Sequence, residues 1–306
     1  MQRSFLNWLL LGGLSLAAVV LLMISNVQVT LRPEYLLLFS FPHFVLSYYL
    51  FFQKVELSPE KKFELLKILV PVLLLLMVFA IWRESRTLVI YFSQAVFFYH
   101  ISLQAFGVTM LYSESSRNDK VWRASVKATV LFWGGYAWLE QQTSFSSLTL
   151  FKTDVASLNI SPIVAAGALG AAVGMTIICV GVYFFRIFST TRKASALFAL
   201  TGVLSFVAWC IPALKIASSG LIAIFHGIQY LPFAVENLRS KSQSLWVIVV
   251  TLVLSFGVGA LAFDQVPRFL SKSDPINSTF YISCLYLLLN LTHFFLERTV
   301  WKQFKA

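Results

Sequence analysis

Residues 87–112 read TLVIYFSQAVFFYHISLQAFGVTMLY, a run without Asp, Glu, Lys or Arg that is long enough to cross a bilayer as one helix. Its only histidine, His100, stands near the middle. Charged and polar residues close both ends, WRESR before it and SESSRNDK after it. Similar apolar runs recur along all 306 residues, so this stretch sets the pattern for the chain. Hydrophobic residues make up 58% and charged residues 12%, with a mean hydropathy of +0.78, which takes the chain out of the soluble class. The expected fold is all-α, a polytopic integral membrane helix bundle forming a single domain over 1–306.

Ten spans are expected, at about 5–27, 35–52, 65–82, 87–112, 126–139, 162–185, 195–214, 216–236, 245–263 and 278–297. The first lacks a small-x-small cleavage site and reads as a helix, not a removable signal. Residues 165–174 are small enough for close helix packing. The basic residues orient the bundle. With the N-terminus inside, 17 of the 24 Lys and Arg fall in cytoplasmic segments and 7 on the other side, so both termini are expected to be cytoplasmic. The net charge of +11 is then a cytoplasmic face resting on anionic lipid, in a bacterial inner membrane, and no nucleic-acid partner is implied. Cys179, Cys210 and Cys284 all lie in apolar runs, which argues against a disulfide framework.

The four histidines, His43, His100, His226 and His293, each sit inside an expected span. Imidazole is costly in hydrocarbon, so it faces a partner or a site, and neutral imidazole is the commonest metal ligand. All four fall on even-numbered spans. His43, His100 and His226 lie roughly 15–20 Å from the cytoplasmic ends, and His293 about 7 Å. Each heads a polar stripe at helical spacing: Ser40, His43 and Ser47; Ser93, His100, Gln104 and Gly107; Ser219, His226, Gln229 and Tyr230; Tyr286, Asn290, His293 and Glu297. Histidines are expected to hold the metal, with Ser47, Asn290 and Glu297 orienting them and Gln104, Gln229 and Tyr230 facing bound oxygen or the ligands. For any one histidine the plainer alternative is a hydrogen bond across the bundle. Glu297, next to Arg298, has a second reading as an interfacial ion pair.

Nitrogen donors without a carboxylate suit iron, copper or zinc, not magnesium or calcium. Haem is the competitor, although no span carries two histidines. The aromatic residues, 29 Phe, 8 Trp and 11 Tyr, read mostly as lipid-facing and interfacial packing, with some free to line a lipid-sized tunnel.

The segments FPHFVLS (41–47), FFYHISLQAFG (97–107), FHGIQYLPF (225–233) and LTHFFLERTVWK (291–302), in this order, resemble the histidine motifs of the Brp/Blh family of membrane β-carotene 15,15′-dioxygenases. The resemblance implies iron held by the four histidines, dioxygen as co-substrate, a hydrophobic substrate taken from the bilayer, and cleavage of carotene to retinal. Family members read PHGALD where this chain has PHFVLS, an acid near the second histidine where it has Gln104, and a further histidine where it has Tyr230. Two other readings stand beside the oxygenase: a haem-binding electron carrier or haem-modifying protein, and a transporter or assembly factor without enzymatic activity. No HExxH, phosphate-binding glycine loop or Ser-His-Asp arrangement is present.

The topology is open to test. Single cysteines introduced in loops 53–64, 113–125, 186–194 and 237–244 are expected to escape a membrane-impermeant reagent applied from outside. Labelling of two of the four overturns the ten-span arrangement.

Overall fold

The computed structural model describes residues 8–25, 43, 45–49, 63, 66–67, 69–75, 86–112, 118–144, 160–188, 193–211, 221–240, 244–261, 265–273, 280–281, 283–285, 287–289 and 291–293. Every regular element among them is a helix. Seven long helices and one short one are complete: α1 (Leu14–Ser25), α2 (Arg86–Tyr112), α3 (Lys120–Ser144), α4 (Pro162–Val182), α5 (Lys193–Cys210), α6 (Leu221–Ser240), α7 (Leu245–Ala260) and the short α8 (Val266–Ser273). Wider π-type turns precede α1 at Leu9–Gly13 and follow α4 at Tyr183–Phe188. Leu88–Leu111 and Pro162–Phe188 are long and apolar enough to cross a membrane. Shorter apolar helices at Leu14–Ser25, Leu197–Cys210, Leu221–Pro232 and Val249–Gly259 fall within four more of the expected spans. The span expected at 35–52 lies largely outside the described residues, and those expected at 65–82 and 278–297 are described only in part, helical where they are.

Several boundaries differ from expectation, each for a local reason. The helix expected at 126–139 is the longer α3, which takes in the end of the basic loop and the first residues of the polar connection after it. Lys120, Arg123 and Lys127 lower its hydropathy without lowering its helix propensity. The expected loop 186–194 is helical to Phe188 and again from Lys193, and loop 237–244 is helical to Ser240. The loop around Pro267 contains α8, with the proline in the first turn, where its missing N–H costs nothing. Pro275 lies outside the described residues.

The chain divides into two compact units. The first comprises Met1–Arg32, Phe98–Leu148 and Ala156–Pro232; the second comprises Pro33–Phe97, Thr149–Val155 and Phe233–Ala306.

In the first unit helices pack through small residues and interhelical hydrogen bonds. Gly134 of α3 lies against Ser102 and Phe98 of α2, and Gly202 of α5 against Thr109 of α2, leaving no room for a side chain. Gly12 faces Thr201 and Ser205 of α5, and nearby Trp8 Nε1 donates to Thr201 Oγ1 at 3.0 Å. From α3, Thr129 Oγ1 lies 3.1 Å from the Met175 carbonyl of α4, and Trp133 Nε1 donates to Thr176 Oγ1 at 2.7 Å. Ser161 caps α4, whose Ala165, Ala172 and Cys179 are buried while Ile163 and Ile177 lie open.

Asp119 ties the α3–α4 pair at one end. Its Oδ1 accepts the N–H groups of Val121 and Trp122, both at 2.9 Å, and its Oδ2 accepts Arg186 Nε at 2.9 Å. This contact joins two loops expected on the same side of the membrane. The Trp122 N–H chiefly, then Arg186 and the Val121 N–H, hold the carboxyl below its ordinary value against the opposing effect of burial. The folded chain therefore favours the charged form. The resulting stability is present above the ordinary carboxylate range and is lost as pH falls through the lowered value. Asp119→Ala is expected to cost about 1 kcal/mol at neutral pH, mainly through the lost cap. In unfolding measurements across pH, the gap between wild type and variant should close on acidification below the ordinary carboxylate range.

Candidate metal centre

α2 and α6 supply the histidine pair of the first unit. His100 Nε2 and His226 Nε2 lie 3.1 Å apart, with ring centroids separated by 4.8 Å and planes crossing at 79°. Exposure is 0% for His100 and 1% for His226, so water does not solvate either ring. Two neutral imidazoles meeting through Nε2 share one proton when one is the Nε2–H tautomer and the other accepts. The same separation suits an ion between them. Nitrogens bound side by side at about 2.1 Å from one metal stand roughly 3 Å apart.

Gln104 sets this meeting. It lies one turn beyond His100, and its Nε2 donates to the backbone carbonyl of His226 at 3.0 Å. A carbonyl has two lone pairs, so that of His226 can take this bond beside its helical one. The bond fixes the register of α2 against α6 at the residue where the rings touch. Its Oε1 is buried and accepts no hydrogen bond among the described residues. The side chain lies on the face expected, and the structure gives its amide a task in helix registration. Gln229 and Tyr230, one turn beyond His226, are both buried. Behind that turn Trp209 of α5 stacks on Phe225 at 5.5 Å between centroids, and Phe206 packs edge-on against Trp209.

The second unit holds the other pair. His43 and His293 meet edge to face, with centroids 5.4 Å apart and planes at 82°. Both are buried, at 2% and 0% exposure, so the depth difference expected for His293 does not keep it from His43. Ser47, expected to orient the His43 ring, instead donates its hydroxyl proton to the His43 backbone carbonyl at 2.7 Å. Ser93 likewise donates to the carbonyl of Ile90 at 2.8 Å. Such back-bonding competes for a hydroxyl in any helix. Asn290 and Glu297, with Ser40, Ser219 and Tyr286, lie outside the described residues.

Tyr48 and Thr292 are polar neighbours of this pair that the sequence reading missed. The Tyr48 hydroxyl contacts Thr292 Oγ1 and lies 3.4 Å from the carbonyl of Leu289. Their only signal in the sequence is adjacency: Thr292 precedes His293, and Tyr48 follows His43 by little more than a turn.

No family model, curated protein or solved structure matches the chain.

The different fates of these polar groups can be measured. Ser47→Ala removes a bond internal to one helix and is expected to change stability by less than about 0.5 kcal/mol. Gln104→Leu removes a bond between helices and is expected to cost about 1 kcal/mol. Unfolding of the purified protein in mixed micelles distinguishes the two.

Proposed function

We propose that the chain is a ten-span helix bundle of a bacterial inner membrane, with both termini cytoplasmic. Within it His43, His100, His226 and His293 hold one iron ion that oxidises a hydrophobic lipid or polyene. The carrying observation is the contact of His100 Nε2 with His226 Nε2 at 3.1 Å, the separation two ligands take beside one ion. The second pair, His43 with His293, supports the same reading inside its own unit. An all-nitrogen donor set fits iron, with copper or zinc as neighbours in chemistry. The order of motifs, which resembles that of the Brp/Blh dioxygenases, favours iron.

Bound there, iron would supply a place for dioxygen and the redox chemistry to activate it. The chain's residues have other tasks. Gln104 holds α2 and α6 in the register that brings the two Nε2 atoms together. Burial of all four rings keeps water from the ligands. Gln229 and Tyr230 place an amide and a phenol, both buried, on the turn after His226, where they would donate to an oxygen held at the site. Open apolar side chains such as Ile163, Ile177 and Phe185 give the first unit an outer face suited to lipid, which favours a substrate arriving through the bilayer. Carotene comes first among such substrates through the resemblance. Ser47, where the family has an acid, is committed to its own helix, and Tyr230 replaces a histidine, so the substrate preference would differ even on a shared metal site.

Haem is disfavoured between His100 and His226, because rings whose Nε2 atoms lie 3.1 Å apart leave no room for a macrocycle between them. The purified protein is expected to contain iron and to show no Soret band. His43→Ala, His100→Ala, His226→Ala and His293→Ala should each lower bound iron at least tenfold while the protein still inserts. Full iron in any one variant removes that histidine from the ligand set, and a Soret band replaces the iron oxygenase with a haem protein. In carotene-producing cells the intact chain, and not His100→Ala, is expected to bleach the orange colour and yield retinal. Persistent colour from inserted, iron-loaded protein discards carotene and leaves the metal site in place.

A further inference from the structure

We infer that Tyr48 and Thr292 are positioning residues for the pair His43–His293, joined by a hydrogen bond that holds the two imidazoles in register. The inference rests on the metal reading of these histidines and lies wholly within the second unit.

The direction of the bond follows from proton counting. Thr292 has one hydroxyl proton, and its Oγ1 lies 2.8 Å from the Leu288 carbonyl and 3.1 Å from that of Leu289. With its proton spent on its own helix, Thr292 meets Tyr48 as an acceptor. Tyr48 therefore donates, and its hydroxyl is the only proton that crosses between these two segments in this contact. The nearby Leu289 carbonyl, at 3.4 Å, offers a second acceptor from the same helix.

The reach of Tyr48 explains why it serves His43. Side chains on a helix slant toward its N-terminus, and a tyrosine lies over the turn before its own Cα. The Tyr48 hydroxyl is thereby carried back toward the level of His43. On the other segment the bond ends at the residue next to His293. One hydrogen bond thus pins both helices within about a turn of the rings, which stand 5.4 Å apart at 82°.

His43 has particular need of such a strut. A proline, Pro42, precedes it in the sequence, and proline has no backbone N–H to donate. The His43 carbonyl also receives the Ser47 hydroxyl, a bond that tends to bend helices. A contact from a second helix therefore adds to what holds His43 in place. The Tyr48–Thr292 bond supplies such a contact.

Cobalt(II) is the probe, added to the full chain purified in detergent, with affinity and d–d absorption bands recorded. Tyr48→Phe and Thr292→Val keep shape and delete the bond, and each is expected to weaken cobalt(II) binding roughly 10- to 100-fold and to shift the bands. The double variant should bind no worse than the weaker single one. Thr292→Ser keeps the accepting hydroxyl and should restore wild-type affinity and spectrum, which a role in packing alone would not produce. Wild-type affinity and bands in Thr292→Val overturn the positioning role and leave the metal reading intact. Equal weakening in Thr292→Ser assigns the effect to the methyl group and also overturns it. A wild-type chain that binds neither cobalt(II) nor iron overturns the metal reading, and this inference with it.

Discussion

An imidazole withdrawn from water needs a polar neighbour, and in the first unit that neighbour is another imidazole. The contact of His100 with His226 constrains much of the structure around it. Two rings meet through Nε2 at 3.1 Å only if their helices are held at a fixed separation, rotation and height. Gln104 fixes the height through the His226 carbonyl. Ser102 and Thr109 of α2, seated against Gly134 of α3 and Gly202 of α5, set how closely α2 approaches those helices. The aromatic stack of Trp209 on Phe225 backs the turn that carries His226.

Among the described residues several hydroxyl groups are used differently. Ser47, Ser102, Ser125, Thr176, Ser205, Ser255 and Thr292 each direct a proton to a carbonyl one turn back in their own helix, and Thr129 shares its proton between such a carbonyl and that of Met175. That choice makes a polar side chain tolerable in an apolar setting, because no proton is left without an acceptor. The interhelical bonds stand out against this background. Trp8 to Thr201, Trp133 to Thr176, Gln104 to His226 and Tyr48 to Thr292 carry donors long enough to reach another helix.

The histidines were legible in the sequence because imidazole is rare and expensive in apolar runs. Gln104 was legible as the next polar residue on the same helical face. Its task was not, since the carbonyl it meets belongs to a helix more than a hundred residues away. Ser47 has the right spacing to reach a ring, yet a hydroxyl's choice between ring and carbonyl is settled by local geometry. The depth expected for His293 rests on a span end that lies outside the described residues. Asp119 shows the same limit: its cap begins α3 well before the apolar run starts, and only an N–H partner reveals it. Of the small residues of 165–174, which were expected to pack closely, only Ala165 and Ala172 are buried, and Gly167, Gly170 and Gly174 have open space beside them.

The buried stripe of α4 has a mechanical consequence. Ala165, Ala172 and Cys179 are spaced seven residues apart, and a seven-residue period corresponds to 3.5 residues per turn. Such a seam coils left-handed about its partner and repeats only at whole heptads. Sliding α4 along α3 would require a jump of one full repeat, about 10 Å, before small residues again faced the seam. The α3–α4 hairpin is therefore a ratchet with a single tooth engaged, and Arg186 on Asp119 marks which tooth.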